Sequence, residues 1–141
     1  MADMTIPPTV DGFEPTAEDV ASVHEWFARY DALAAKGDVE GMADMAMFPL
    51  NSVTDNAAGN GSARQSSREE FVREMAGVVG DGAEMRSVRT PHFLSKGLVF
   101  VITEATVEVD GVTHRLRYGD LLVRRDGAWH FQTMVQGGWG E

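Results

Sequence analysis

Two Asp-Gly pairs in the C-terminal third of the chain, Asp110-Gly111 and Asp126-Gly127, constrain its fold more than any other feature. Each pair separates two runs in which apolar and polar residues alternate, and both residues of such a turn must accept positive φ. The spacing therefore predicts three antiparallel strands, at 97–109, 112–125 and 128–135, joined by two-residue turns.

The length of the turns also fixes which side chains share a face of this predicted meander. Val109 pairs with Val112 and Arg125 pairs with Ala128, and every other pair follows from these two. One face collects most of the apolar residues, and we call it the inner face because we expect the helices to cover it. Its predicted members are Val99, Val101, Thr103, Ala105, Val107, His114, Leu116, Tyr118, Asp120, Leu122, Arg124, Trp129, Phe131, Thr133 and Val135.

Asp120 is an acid in the middle of this predicted inner face. A carboxylate there is costly unless it is paired with a cation, hydrogen-bonded or protonated. Two interpretations remain open at this point. Asp120 is either a structural group bonded to Tyr118, Thr103 or Thr133, or it is part of a functional site.

The opposite, outer face carries a second set of apolar side chains. The helices are not expected to cover it, because they are needed on the inner face. Near the first turn this face is charged, with Glu104 expected opposite Arg117. Further along the strands we expect an exposed apolar patch, which usually marks a protein–protein interface. The sequence therefore predicts a homodimer through this face, and the alternative is a merely scattered apolar surface. The predicted interface residues are Phe100, Ile102, Leu121, Val123 and Met134.

Three helices are predicted in the first eighty residues, each opened by a recognisable cap. Thr16 caps a helix whose apolar residues recur every three or four positions, and Gly37 ends it. Asp38 caps a short second helix. Ser67 begins a capping box, and we expect the third helix to run through Val78.

Two further strands complete the predicted sheet, at 49–54 and 85–94. The stretch rich in Gly, Asn and Ser between them, at 55–66, is predicted to be a loop. The order is then two helices, a strand, a helix and four strands. This order indicates an α+β fold, with the helices on one face of a curved antiparallel sheet.

Composition narrows the class of protein. The chain has 141 residues, 43% of them hydrophobic and 24% charged, as expected of one globular domain. Its formal charge of -10 argues against nucleic-acid and anionic-membrane partners. We expect a flexible arm at 1–14, one domain at 15–137 and a tail at 138–141. Without a signal-peptide pattern or a long apolar run, a cytoplasmic location is the default expectation.

The usual sequence patterns of cofactor and metal sites are missing. Cysteine is absent, and the histidines and carboxylates do not fall at metal-ligand spacing. The stretch Gly59-Asn60-Gly61 lacks the lysine and the helix start of a phosphate-binding loop. We therefore expect chemistry that uses no cofactor and no metal.

Three segments of the chain resemble a known family. They are the stretch 29–33 followed by Gly37-Asp38, the stretch 51–55, and the last hairpin from Asp120 to Trp129. Over about 18–136 the chain is similar to the nuclear transport factor two-like superfamily, which includes SnoaL-like polyketide cyclases. Its motif pattern is closest to that of ketosteroid isomerase. The resemblance implies a cone-shaped α+β barrel of cystatin-like order, in which three helices pack on a curved antiparallel (mixed) sheet.

Ketosteroid isomerase uses a tyrosine and a protonated aspartic acid as donors to a developing oxyanion, while a second aspartate moves the proton. By resemblance these three roles fall on Tyr30, Asp120 and Asp55. Tyr30 also lies on the apolar stripe of the first helix, so two independent considerations place it beside the inner face. The residues expected to line the substrate pocket are Trp26, Phe27, Val53, His92, Thr103, Tyr118, Phe131 and Thr133.

The function implied is that of a cofactor-independent isomerase or dehydratase acting on a small apolar carbonyl compound. Other interpretations of the same residues stay open. Tyr30 on an apolar stripe also fits core packing, and Asp55 in a polar loop also fits a solvated turn residue. The chain would then be a non-catalytic protein that binds a small hydrophobic ligand, or a dimerisation or adaptor domain of the same fold.

Overall fold

Three helices and six strands make up the residues that this computed structural model describes, 5–77 and 85–141, which confirms the α+β class. In chain order the elements are α1 (Ala17–Lys36), α2 (Val39–Asp44), β1 (Ala46–Asp55), β2 (Gly61–Ser66), α3 (Arg68–Met75), β3 (Met85–Ser95), β4 (Leu98–Val109), β5 (Val112–Arg125) and β6 (Ala128–Val135). None of these helices combines the length and the apolar character that a membrane crossing requires.

The helices begin where the capping residues predict. The Thr16 hydroxyl accepts the backbone N–H of Asp19 at 3.1 Å, and the Asp19 carboxylate accepts the N–H of Thr16 at 2.9 Å. Gly37, with φ of 70°, ends α1 in the left-handed conformation that favours glycine. Ser67 caps α3 in the same reciprocal way, but this helix ends before the predicted Val78, which lies outside the described residues.

The strands form one mixed sheet in the order β2-β1-β6-β5-β4-β3. β1 and β6 run parallel, and the other neighbours are antiparallel. β1 begins at Ala46, earlier than predicted. The predicted loop at 55–66 is wrong in its second half, because residues 61–66 form β2. The side chains of β2 are exposed except for Ser66, so the apolar alternation that signals a strand is missing there.

Both Asp-Gly turns adopt the predicted conformation, with positive φ at all four residues. The register that follows is confirmed along the whole of β4 and β5, where Val101 pairs with Asp120. Glu104 lies opposite Arg117 on the outer face, with 3.7 Å between the charged nitrogen and oxygen. The two faces of these strands are therefore as predicted.

Strand β6 departs from the predicted register in its second half. Leu122 of β5 pairs with Phe131, but the next residue back, Leu121, pairs with Thr133. Gln132 is thus an extra residue in β6, a β-bulge. The register defined by the Asp126-Gly127 turn holds only as far as this bulge.

Beyond the bulge the two faces of β6 are exchanged. The predicted position of Thr133 and Val135 on the inner face is wrong, and so is that of Met134 on the outer face. Met134 instead lies opposite Asp120 and packs against the core. A shift of one residue has this effect because side chains alternate between faces along a strand.

The hydrophobic core lies between the helices and the inner face, with Phe131 near its centre. The ring of Phe131 meets those of Trp26, Tyr30 and Phe71 edge-on, at centroid distances of 5.8, 5.2 and 5.7 Å. These rings come from α1, α3 and β6, so their packing holds α1 against the sheet. The buried hydrophobic residues of the core are Val23, Trp26, Phe27, Met42, Ala43, Ala46, Leu50, Phe71, Val99, Val101, Leu122, Trp129 and Phe131.

Candidate functional site

Asp120 lies on the inner face of β5, with Val101 on one side and Met134 on the other. Its side chain keeps some accessible surface but lies deep among protein atoms, and this burial raises the pKa of its carboxyl to about 7. The charge of Arg89 lowers that pKa and the charge of Asp31 raises it, each by less than burial does. A carboxyl that titrates near neutrality can both take up and release a proton at physiological pH.

Tyr30 reaches the same region from α1. Its ring stacks on Trp26 at 5.2 Å and meets Phe131 edge-on. Phe131 pairs with Leu122, which is two residues from Asp120 on the inner face of β5. Burial, and then the charge of Asp120, raise the pKa of the Tyr30 phenol well above its usual range. The hydroxyl therefore stays protonated and can donate a hydrogen bond close to Asp120.

Arg89 of β3 is a third polar group in this region, with only 10% of its side chain exposed. Its guanidinium donates to both carboxylate oxygens of Asp31 on α1, at 2.5 and 3.2 Å. It also donates to the Thr103 hydroxyl at 3.3 Å and, more weakly, to the Tyr118 hydroxyl at 3.5 Å. The guanidinium carbon lies 4.2 Å from the centre of the Phe27 ring, a cation–π contact.

These side chains form one group between α1 and the inner face. We call it the polar cluster, and its members are Tyr30, Asp31, Arg89, Thr103, Tyr118 and Asp120. All of them except Thr103 keep some accessible surface. A small molecule that entered here would meet a protonated phenol and a carboxyl able to transfer a proton, beside aromatic rings. That combination suits acid–base chemistry.

Most of the residues predicted for the site lie together on this side of the sheet. Trp26 and Phe27 are nearly fully buried in the core beneath the polar cluster, at 2% and 4% exposed. The predicted site residues found together are Tyr30, Trp26, Phe27, Thr103, Tyr118, Asp120 and Phe131.

Asp55 and Val53 lie on the opposite, outer face. The parallel pairing of β1 places Val53 beside Val135, which the bulge in β6 has moved to that face. The Asp55 carboxylate accepts the backbone N–H of Gly138 at 2.8 Å, and its carbonyl oxygen accepts that of Gly140 at 2.9 Å. The structure therefore does not bring Asp55 together with the polar cluster. Asp55 instead contacts the C-terminal residues Gly138 and Gly140.

His92 and Thr133 also lie on the outer face, contrary to their predicted place in the pocket. His92 pairs with Phe100 and is exposed. Thr133 pairs with Leu121, and its hydroxyl accepts a hydrogen bond from the Asn51 amide at 3.4 Å. His92 lies outward because it alternates with Phe93, whereas Thr133 lies outward because of the bulge at Gln132.

Asp31 and Arg89 are members of the polar cluster that were not predicted as site residues, and Arg89 lies outside the three segments that carry the family resemblance. The signal for Arg89 lies in the alternation of β3, where Phe93 pairs with Val99 on the inner face. Counting back in steps of two from Phe93 reaches Pro91 and then Arg89. The turn into β4 is not an Asp-Gly turn, however, and the register shifts between Phe93 and Ser95. The face of β3 could not be fixed from that turn.

Two open grooves lie elsewhere on the surface. One, of about 420 Å³, runs between α1 and the last turn and includes Trp129 and His130 in its wall. The other, of about 540 Å³, crosses β3, β4 and β5 near the first Asp-Gly turn and is lined by three arginines. Neither of these grooves is lined by Tyr30 or Asp120.

Comparison of the sequence with known families gives no match, and no curated protein matches it either. Solved structures do match. An NTF-2-like protein of unknown function from Shewanella oneidensis MR-1 has a TM-score of 0.66 and 13% identity, over 84% of this chain and 98% of its own. The protein Aln2 from a Streptomyces species has a TM-score of 0.64 and 21% identity, over 88% and 93% of the two chains.

A scytalone dehydratase-like protein from Novosphingobium aromaticivorans has the same architecture. Its TM-score is 0.61, with 14% identity over 88% of this chain and 95% of its own. At identities this low the likeness is one of fold, and unrelated functions occur on a shared fold.

Proposed function

The chain has the fold of the nuclear transport factor two-like proteins, and on this basis we propose that its polar cluster performs acid–base chemistry on a small apolar carbonyl compound. The reaction is an isomerisation or a dehydration that uses no cofactor. One observation carries the proposal. A carboxyl with a pKa of about 7 lies on the same side of the sheet as a phenol that stays protonated.

The proposed reaction uses Asp120 and Tyr30. The Asp120 carboxylate removes a proton from the carbon next to the carbonyl, and the electron pair of that C–H bond moves toward the carbonyl oxygen. Tyr30 donates a hydrogen bond to the oxyanion that develops. In an isomerisation, protonated Asp120 returns the proton to a different carbon. In a dehydration, the enolate expels a β-hydroxyl group, which takes the proton from Asp120 and leaves as water.

Asp120 takes over the role of base that the family resemblance gave to Asp55. The Asp55 carboxylate lies on the outer face and accepts the N–H of Gly138, so it is remote from the Tyr30 phenol. The pKa of about 7 supports this change of role, because a group that titrates near the working pH is an efficient proton carrier.

An enolate mimic tests the site without knowledge of the substrate. Bound 2-naphthol is expected to ionise more readily than in water, because the Tyr30 hydroxyl stabilises the naphtholate oxygen. Its absorption and fluorescence should therefore shift toward the naphtholate spectrum. We expect Tyr30→Phe to weaken naphtholate binding about 10–100-fold, since one hydrogen bond to a charged oxygen is lost.

Tyr118→Phe is the matched control for this titration, because it removes the other tyrosine hydroxyl of the chain and leaves Tyr30 in place. It should weaken naphtholate binding far less. A naphthol spectrum that does not change on adding the protein would contradict the proposed donor.

A non-catalytic ligand-binding protein is the second candidate, and the position of Asp55 favours it. With Asp55 on the outer face, proton transfer depends on Asp120 alone. A protein that ionises bound naphthol but converts none of a panel of cyclic enones and β-hydroxy ketones would support this second function.

We also propose that two copies of the chain associate through the outer face. Four of the predicted interface residues lie there, Phe100, Ile102, Leu121 and Val123, and each is a half-buried apolar side chain. The fifth, Met134, is excluded because it lies on the inner face. Apolar side chains grouped on an otherwise charged surface are typical of an interface.

A charge placed in this patch should separate the two copies. We expect the wild-type protein to run as a dimer in size-exclusion chromatography with light scattering, and Leu121→Lys to run as a monomer, because burying an unpaired ammonium is unfavourable. Thr113→Lys, at an exposed position of β5, is the control and should remain dimeric. A monomeric wild type would rule out this interface.

A further inference from the structure

The ion pair between Arg89 and Asp31 has no part in the reaction steps above, yet its guanidinium reaches Tyr118, two residues along β5 from the group that carries the proton. We infer that these two residues are opposed electrostatic controls on Asp120, with Arg89 as a positioning residue that holds a fixed positive charge near the carboxyl and Asp31 as the residue that holds Arg89. The importance of this electrostatic control for catalysis rests on the proposed function, but the control itself is a property of the protein without substrate.

The register of the sheet places Arg89 on the same inner face as Asp120, two strands across, and its guanidinium reaches the Tyr118 hydroxyl of β5. Arg89 pairs with Thr103 of β4, and Thr103 pairs with Tyr118 of β5. Asp120 is two residues further along β5, on the same face, a separation of roughly 7 Å along a strand. The guanidinium and the carboxyl thus belong to neighbouring rows of inner-face side chains.

The contacts of Arg89 leave its side chain little freedom. It donates to Asp31, Thr103 and Tyr118, and its guanidinium lies over the Phe27 ring. A long side chain held by this many partners acts as a fixed charge, with no cost of reorganisation when a neighbouring group titrates. Arg89 therefore keeps its charge in place whether Asp120 is protonated or ionised.

The two members of the ion pair act on Asp120 in opposite directions. Arg89 favours the ionised carboxyl and lowers its pKa, whereas Asp31 favours the protonated form and raises it. Arg89 is 10% exposed and Asp31 is 44% exposed, so water screens the cation less than the anion. The arginine is the stronger of the two controls.

The groups that face Asp120 come from several elements. Tyr30 and Asp31 come from α1, Arg89 comes from β3, and Tyr118 comes from β5 itself. Phe131 and Met134 of β6 are apolar. In the part of the chain that the structure describes, Arg89 and Asp31 are the charged residues that act on the Asp120 carboxyl.

Two variants of the same ion pair test this inference. In a carboxyl-carbon NMR titration of the free protein with labelled aspartate, Arg89→Met should raise the midpoint of Asp120 by roughly one pH unit. Asp31→Asn should lower it, by somewhat less. If the ion pair were only structural, both variants would break the same contact and would shift the midpoint of Asp120 in the same direction.

The controls keep the result interpretable. Asp120→Asn identifies the resonance, and Arg117→Met removes an exposed arginine of the outer face and should leave the midpoint unchanged. Arg89→Lys keeps the charge and should shift the midpoint less than Arg89→Met does. If Arg89→Met does not fold, Asp31→Asn and Arg89→Lys carry the test.

Shifts of Asp120 in the same direction in both variants of the pair, or no shift in either, would overturn the inference. If only Asp31→Asn can be measured, an unchanged or raised midpoint of Asp120 would overturn the inference. Because the titration uses no substrate, a protein that converts no carbonyl compound would refute the proposed reaction and leave this result standing.

Discussion

Asparagine in place of Asp120 is expected to lower kcat about 10²–10⁴-fold on the best substrate of a carbonyl panel. The amide is close to the carboxyl in size and fits the same place opposite Val101 and Met134. It cannot take up a proton from carbon, so the step assigned to Asp120 is lost while binding changes little. Steady-state kinetics of the two proteins measures the effect as a fall in kcat at similar KM.

The pH dependence of the wild-type enzyme separates two roles for Asp120. As a base it must be ionised, so kcat/KM should fall as the pH drops below about 7. As a protonated donor, the role implied by the family resemblance, it would lose activity above that pH instead. A kcat/KM that does not change with pH near neutrality would contradict both roles.

Asp110→Asn is the matched control, because it makes the same chemical change at an exposed turn residue that tolerates asparagine. Its kcat should equal that of the wild type. If Asp55→Asn instead caused a loss as large as Asp120→Asn, the role of base would return to Asp55, and the assignment of proton transfer to Asp120 would be wrong.

The same substitution, Asp120→Asn, should make the protein more stable at pH 8. The carboxyl has an ordinary pKa of 3.8, which burial raises to about 7 in the folded chain. Between those pH values the folded chain retains a proton that the unfolded chain has released. Raising the pH through this window therefore lowers the stability of the wild type, and above about pH 7 the difference stays constant.

Urea unfolding at pH 5 and pH 8 measures this effect. The advantage of Asp120→Asn over the wild type should grow by on the order of 1–3 kcal/mol between the two pH values. The control, Asp110→Asn, should show no comparable growth, since its carboxyl is exposed. An advantage independent of pH would mean that Asp120 is not protonated more readily in the folded chain than in the unfolded one.

Local signals predicted most of the fold correctly. The caps at Thr16, Asp38 and Ser67 each satisfy backbone N–H groups at their own helix, and therefore do not depend on distant parts of the chain. The Asp110-Gly111 turn defines the pairing of β4 with β5 for the same reason, and the Asp126-Gly127 turn defines that of β5 with β6 as far as the bulge. Each of these features depends on a few neighbouring residues, and it can therefore be predicted from the sequence.

The wrong predictions concern parts of the fold that depend on residues distant in the sequence. Strand β2 exists because β1 offers it a partner, although its own side chains are polar and exposed. The bulge at Gln132 exchanges Thr133 and Met134 between faces, and no turn or glycine marks it. In both places the pairing of backbone groups decides the structure, and side-chain patterns do not report it.

The candidate site divides in the same way. Helical periodicity predicts the position of Tyr30 and an Asp-Gly turn predicts that of Asp120, and both residues lie in the polar cluster. The pocket position of Asp55 is implied only by the resemblance of a short segment, and Asp55 lies on the other face. Arg89 was missed because its strand has no turn that defines its register.

The parallel contact between β1 and β6 has a consequence for the order in which the chain folds. It joins residues such as Asn51 and Thr133, which are 82 positions apart, whereas the hairpins of the meander close over two residues. Closing so long a loop costs more chain entropy, so β1 is expected to join a meander that has already formed. Backbone amides of β1 should accordingly exchange with solvent deuterium before those in the middle of β4 and β5.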